Sequence, residues 1–160
     1  MRYLADCIVT MLYIGRIPLA PGSWASLAAV ILWLNIFNNL NYLLLPIISV
    51  ILFFIGTYFS HLVLRTTDKK DPSFIVIDEW VGQWITFSFL PVNYTIAILG
   101  FLLFRFFDIS KVGPVKYFEK LPGAWGVMAD DVIAGILSMV SLLLIQYYIL
   151  WKLELLQLDQ

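Results

Sequence analysis

The chain has 160 residues, of which 61% are apolar, 16% aromatic and only 13% charged, with a formal net charge of −1. Soluble domains carry roughly 25% charged residues, so the composition excludes intrinsic disorder, a nucleic-acid-binding module and a disulfide-stapled secreted domain. A mean hydropathy of +0.89 points instead to a small polytopic membrane protein, one domain over residues 1–160, with a very apolar soluble core as the other class.

In chain order, Tyr3–Ile14 is short and contains Asp6, which reads as an N-terminal amphipathic or re-entrant helix rather than a cleavable signal. Cys7 is the single cysteine, so neither an internal disulfide nor a cysteine-based metal site can form. Trp24–Leu34 is the first apolar run, entered through Pro21-Gly22-Ser23 and left through the Asn-rich stretch Asn35–Asn41. Tyr42–Leu64 follows as 23 residues without a formal charge, enough to cross a hydrocarbon layer of about 30 Å. Trp80–Leu90 and Tyr94–Phe104 are separated by Pro91-Val92-Asn93, which predicts a helical hairpin turn. Val132–Trp151 is the last run, 20 residues without a charge. The shorter runs cross only by extending into polar flanks, tilting or thinning the bilayer, or else they are re-entrant. Unpaired backbone is untenable in lipid, and no turn signals recur at strand spacing, so helix is favoured throughout. The expected fold is all-α: a small polytopic membrane bundle of about four to five apolar helices, some short or re-entrant.

Threading five segments through a membrane sorts the charges. Side one receives the N-terminus, the loop Arg65–Glu79 and the loop Arg105–Asp131; side two receives Asn35–Asn41, Pro91–Asn93 and the C-terminus. Arg2, Arg16, Arg65, Lys69, Lys70, Arg105, Lys111, Lys116 and Lys120 fall on side one, and only Lys152 on side two. Side one is therefore cytoplasmic by the positive-inside rule. The acids follow: Asp6, Asp68, Asp71, Asp78, Glu79, Asp108, Glu119, Asp130 and Asp131 on side one, against Glu154 and Asp159. Such one-sidedness points to an interfacial site.

Within that site Asp78-Glu79 stands immediately before the apolar run from Trp80, and Asp130-Asp131 before that from Val132. A carboxylate pair at a helix mouth suits the helix dipole on its own. Two such pairs on one side can instead converge on a hard cation such as Mg²⁺, which takes carboxylate and phosphate oxygens; one aspartate of the second pair could cap its helix while the other faces inward. Arg105, Asp108 and Lys111 recur at i, i+3 and i+6, either as a surface ion-pair ladder or as a phosphate-binding face. Arg105 directly follows the apolar Phe101–Phe104, a depth at which ionisable residues are costly and usually functional. Ser23 has the context of an N-cap beside free N–H groups that could take an anion. His61, the only histidine, reads as a packing residue. Neither a serine-hydrolase elbow nor a zincin motif occurs.

Four segments together resemble the phosphatidylglycerophosphatase A family of bacterial membrane lipid phosphatases. They are Pro21-Gly22-Ser23-Trp24-Ala25-Ser26-Leu27, Ile77-Asp78-Glu79-Trp80-Val81-Gly82, Phe104-Arg105-Phe106-Phe107-Asp108-Ile109-Ser110-Lys111, and Gly126-Val127-Met128-Ala129-Asp130-Asp131-Val132-Ile133-Ala134-Gly135. They keep the family's order across about residues 14–140. Two departures lie beside the site: Val112-Gly113 intervene between Lys111 and Pro114, and Gly123-Ala124 stands where the family usually has a glycine pair. The resemblance implies Mg²⁺-dependent hydrolysis of phosphatidylglycerophosphate to phosphatidylglycerol and phosphate, on a lipid presented from the cytoplasmic face of a bacterial inner membrane. It carries over Asp78, Glu79, Asp108, Asp130 and Asp131 as catalytic acids, with Asp78, Glu79, Asp130 and Asp131 as metal ligands. Arg105, Lys111 and Ser23 become the phosphate-binding groups. The attacking group is water, or an aspartate forming a covalent intermediate. The other readings are a phosphatase for a different lipid phosphate such as phosphatidic acid, and a small ion-coupled transporter, which would require charge at the midplane and a polar exit on side two.

Overall fold

Each apolar run becomes a helix, but most of the helices begin or end beyond the uncharged stretch that announces them. The computed structural model describes residues 2–37, 43–67 and 72–158, and these are helical with no strand among them. Helix α1, Arg2–Val9, is amphipathic, with Ala5 and Val9 buried and Tyr3 and Leu4 exposed. After it Met11, Leu12 and Tyr13 take left-handed φ values of 45, 56 and 67° and lead into a 3₁₀ turn, Ile14–Arg16. Arg16 pairs with Asp6 and lies over the Phe74 ring at 4.6 Å.

Helix α2 spans Pro21–Ile36 after Ala20 in the left-handed region. Proline lacks the N–H that a first helical position leaves unused, and its φ is already helical. The helix therefore starts at Pro21. Ser23 falls inside its first turn, not at the cap position its sequence context predicts. Helix α3, Leu44–Leu64, matches the longest predicted run. Residues 38–42, including Tyr42 and most of the Asn-rich stretch, and the charges at Asp68, Lys69, Lys70, Asp71 and Asp159 lie outside the described residues.

Helix α4 spans only Ile77–Thr86. The predicted three-residue turn is instead a non-helical connection over residues 87–93, with Phe89 at φ 66°. Pro91 disfavours helical backbone in the residue before it, so the run to Leu90 cannot stay helical. Helix α5, Tyr94–Ser110, is capped by Asn93, whose side chain accepts from the Ile96 N–H at 2.9 Å, and it ends on Lys111 at φ 49°. A single turn, α6 (Val115–Phe118), precedes α7, Ala124–Leu158. Helix α7 starts eight residues before Val132, so Asp130 and Asp131 lie within it, and neither caps it as expected.

Among the described residues two helices are long and apolar enough to cross a membrane: α3, and α7 from Ala124 to Lys152. Only 22% of each apolar window is buried inside the protein, unlike a core helix of a soluble domain. Helix α2 is a shorter apolar helix. At 1.5 Å per residue α4 measures only about 15 Å.

That short helix is the hub. Trp80, Trp84 and Phe87 share a core with Ala29, Val30, Trp33 and Phe37 of the α2 region. Trp33 stacks on Phe87 with centroids 4.0 Å apart, and the Trp84 indole donates to the Ala29 carbonyl at 3.1 Å. On another side Ile77 and Val81 pack with Val127 and Met128 of α7. The closest approach is backbone to backbone: a Cβ on Gly135 would stand 2.4 Å from the Gly82 carbonyl oxygen. A Cβ on Gly82 would stand 2.6 Å from the Asp131 carbonyl oxygen. Between helices in lipid, where burial of apolar surface gives no advantage, such small-residue contacts supply much of the packing.

Replacing Gly135 by valine should therefore force α4 and α7 apart, at a cost of about 1–3 kcal/mol in overpacking. Thermal unfolding in detergent checks this; an unshifted transition would show that the crossing tolerates a side chain.

Candidate active site

The site begins with the segment that leads into α4. The Val76 N–H donates to the Val9 carbonyl at 2.9 Å, which ties the entry of α4 to the end of α1. Asp78 and Glu79 follow in the first turn of α4, where free N–H groups and the helix dipole favour negative charge. Asp78 is buried, and Glu79 Oε2 is buried with no hydrogen-bond partner among the described residues.

Glycine 22 lets α2 come this close. A Cβ there would meet Glu79 Oε1 at 2.0 Å and Arg105 Nη1 at 3.4 Å. One turn further along, the Ser26 hydroxyl donates to the Gly22 carbonyl at 2.9 Å and accepts from Arg105 Nη1 at 3.5 Å. Arg105 also pairs with Asp108 at 2.7 Å, one turn on in α5.

Asp108 holds two cations. Its other oxygen lies 3.3 Å from Lys111 Nζ, and Lys111 in turn reaches Asp130 of α7 at 2.5 Å. Lys111 thus sits past the end of α5 rather than on its face, and its left-handed backbone turns the side chain back toward the helix. Burial alone would lower the Lys111 pKa. The carboxylates of Asp131, Asp130 and Asp108 outweigh that and hold it above the ordinary lysine range.

These groups line one cavity of about 330 Å³. It takes in Ser23, Asp78, Glu79, Arg105, Asp108, Lys111, Asp130 and Asp131, so the eight residues expected to form the site are brought to one place. Three helix N-termini (α2, α4 and α7) and the end of α5 meet there. His61 is exposed on α3 and does not line it.

Within the cavity the acids divide by environment. One oxygen each from Asp78, Glu79 and Asp131 lies within 4.8 Å of the others, close enough to share a metal ion. Asp130 stands apart from that trio, occupied by Lys111 and by the Asp131 N–H, which donates to its Oδ1 at 2.9 Å. Burial pushes the Glu79 carboxyl up to about 7; the Asp78 hydrogen bond opposes this, Asp108 adds to it and Arg105 opposes it.

Sequence reasoning missed several contributors. Ser26 was visible only as part of a motif, although its place one helical turn after Gly22 is the signal that it follows the same face. Ser73 and Ile75 complete the wall from a stretch without any motif. Gln83 lies one turn below Glu79 on α4, fully buried, and neither amide atom finds a partner among the described residues.

An all-helical bundle whose gathered helix ends present clustered carboxylates beside two anchored cations has the make-up of a phosphoester-hydrolysing centre. The chain belongs to the phosphatidylglycerophosphatase A family, whose model matches residues 7–146, and it is a phosphatase. It is 37% identical over 138 residues to the phosphatidylglycerophosphatase A of Haemophilus influenzae, covering 85% of each chain. The Escherichia coli phosphatidylglycerophosphatase A is 34% identical over 126 residues, 78% of this chain and 73% of that one. A Bacteroides thetaiotaomicron protein provisionally named phosphatidylinositol-3-phosphatase is 36% identical over 146 residues, 84% of this chain and 89% of that one. No solved structure matches the chain.

The Gly22 contact gives a separable outcome. Gly22 is the second residue of α2, and the atom its Cβ would strike is the far end of a flexible side chain, so Gly22→Ala should change the melting temperature little. It should nevertheless displace Glu79 and reduce phosphatase turnover about tenfold or more. Wild-type turnover would show that Glu79 has room to move without consequence.

Proposed function

We propose that the chain is a Mg²⁺-dependent lipid phosphatase. It hydrolyses phosphatidylglycerophosphate to phosphatidylglycerol and phosphate at the cytoplasmic face of a bacterial inner membrane, in phospholipid biosynthesis. The observation that carries this is the convergence of Asp78, Glu79 and Asp131 within 4.8 Å, beside Arg105 and Lys111 in the same cavity. The family names of the Haemophilus and Escherichia relatives supply the head group.

The donor set fits a hard divalent cation. All three groups are carboxylates, and Glu79 Oε2 is buried without a hydrogen-bond partner among the described residues. Five carboxylates face two cations across the cavity, and a phosphomonoester brings further negative charge. A divalent ion held by Asp78, Glu79 and Asp131 would neutralise phosphoryl oxygens and acidify water when bound. Asp130 is a positioning group in this arrangement, because it is committed to Lys111.

The remaining chemistry belongs to the chain. Arg105 and Lys111 bind the phosphate oxygens and stabilise charge as it develops, while Asp108 and Asp130 fix where those cations point. An aspartate of the cavity takes the proton of a water that attacks phosphorus in line. The bond from phosphorus to the glycerol oxygen breaks, and the departing oxygen takes up a proton. Ser23, in the first turn of α2, offers a hydroxyl to the phosphate from the opposite wall.

One observation favours a second head group: the Bacteroides relative is named for a phosphoinositide. A transporter reading has less support. The second-side cavity, lined by Ile31, Leu34, Asn35, Val92, Asn93 and Tyr94, carries no charge.

Purified protein should release phosphate from phosphatidylglycerophosphate with Mg²⁺, lose that activity to a chelator, and act less on phosphatidic acid and phosphatidylinositol 3-phosphate. Asp131→Asn should lower turnover about 100-fold or more; near-normal turnover would remove Asp131 from the mechanism, and activity indifferent to chelation would remove the metal.

Calorimetric titration with Mg²⁺ separates the two kinds of acid. Glu79→Gln should weaken binding about tenfold or more, whereas Asp130→Asn should lower turnover with affinity retained. Equal loss of affinity in both variants would return Asp130 to the ligand set.

A further inference from the structure

The catalytic cavity is walled in part by the start of α2, through Pro21, Gly22 and Ser23, and by the end of α5, through Arg105, Asp108 and Ile109. The other ends of these two helices meet at a second cavity, so α2 and α5 run antiparallel with a seam between them. Arg105 and Ser26 join the two helices at the catalytic end. At the far end a second cavity, about 240 Å³, lies between Ile31, Leu34 and Asn35 of α2 and the segment Val92–Tyr94.

Both helices carry exposed apolar side chains. Leu27 and Ile31 on α2, and Ile98, Leu102 and Ile109 on α5, are exposed and recur at helical spacing. Ile109 belongs to both features: it is 69% exposed and it also lines the catalytic cavity. No charged side chain occurs on either helix between the catalytic end and Asn35 or Asn93. Sixteen residues of α2 extend about 24 Å, longer than the about 15 Å of one leaflet's hydrocarbon.

We propose that this seam is the acyl-chain track of the substrate, a diacyl lipid bearing a phosphomonoester. The lipid enters sideways from the bilayer between α2 and α5. Its phosphate passes Ile109 into the cavity, and an acyl chain lies along Leu27 and Leu102. The proposal rests on reading the cavity as a lipid phosphatase site. Continuity singles out this face among the lipid-exposed ones, because its stripe ends at Arg105 and Lys111, the cations that suit a phosphate head group.

Two measurements on the full-length protein in mixed micelles test it. A diacyl lipid phosphomonoester with a diazirine in one acyl chain should crosslink to peptides of α2 and α5, and competing dioleoyl phosphatidylglycerophosphate should suppress the labelling. Leu27→Trp and Leu102→Trp, which fill the seam at exposed positions, should each raise KM for the dioleoyl substrate about tenfold and abolish any preference over the dioctanoyl one. Leu144→Trp, exposed on α7, should do neither, and Leu102→Ala provides a variant without added bulk that should lose labelling at α5. Labelling spread evenly over α3 and α7, or chain preference kept in both tryptophan variants, would overturn the track. Phosphate release with labelling elsewhere rejects the track alone; labelling of α2 and α5 without phosphate release from any lipid rejects the phosphatase reading alone.

Discussion

Everything at the catalytic end depends on how closely α4 and α7 approach at Gly82 and Gly135, where a side chain on either glycine would strike the other helix's backbone. Both helices start at the same end of the bundle, and each carries an aspartate four residues before its glycine: Asp78 before Gly82, Asp131 before Gly135. Four residues is about one turn, a rise near 6 Å. Bringing the glycines together therefore brings the two aspartates together one turn nearer the surface. Glu79, adjacent to Asp78, joins them because Gly22 leaves space for it against α2. Three glycines on three helices thus place the carboxylates of the candidate metal site, and none of the three contributes a side chain.

Packing alone does not make such a cluster stable. Bringing carboxylates together in a buried place raises their mutual repulsion and strips their water. The protein answers part of that with Arg105 and Lys111, each anchored on Asp108, and Lys111 also on Asp130. That network spends two acids in fixing two cations, which leaves Asp78, Glu79 and Asp131 without an equal share of positive charge. Loss of water on burial is the main cause that pushes the Glu79 carboxyl up to about 7, and Asp108 adds to it. A divalent cation, as proposed above, would relieve the same imbalance without protonation. The geometry separates two acids that anchor cations, Asp108 and Asp130, from the trio Asp78, Glu79 and Asp131, whose carboxylate oxygens lie within 4.8 Å of one another.

The helical class, the apolar runs and the collection of charges at one end were legible because they rest on composition and on uninterrupted stretches such as Tyr42–Leu64. The site residues were legible as types at suggestive positions. Helix boundaries were less so, because uncharged runs report where lipid or core begins rather than where hydrogen bonding does. Thus α7 begins at Ala124, eight residues before its uncharged stretch, and takes Asp130 and Asp131 into its body. Pro21 starts α2 ahead of Ser23, and Pro91 cuts α4 short at Thr86. The separate duties of Asp130 and Asp131 were invisible, since neighbours on a helix differ by about 100° in direction and only the packed partner decides which faces Lys111. Gly22 and Ser26 carried no charge to draw notice, although their contacts are among the closest in the site.

A lipid phosphatase must serve two phases at once, and the unequal helix lengths meet that demand. Among the described residues only α3 and α7 have the length and apolarity to cross a bilayer. They enclose α4, whose ten residues are too few to cross and whose role is to carry Asp78 and Glu79 against α7. A full-length spanning helix in that place would have to present apolar residues along both its ends. The short hub is apolar on the two sides where Trp80 and Trp84 pack toward α2 and Ile77 and Val81 toward α7, and its first turn still has room for Asp78 and Glu79. Placing those acids at helix N-termini keeps the phosphate and its counter-ions within reach of water. Between the cavity and Asn35 or Asn93, α2 and α5 carry no charge, which is what the proposed reading needs: a head group presented to the site while the chains stay in hydrocarbon.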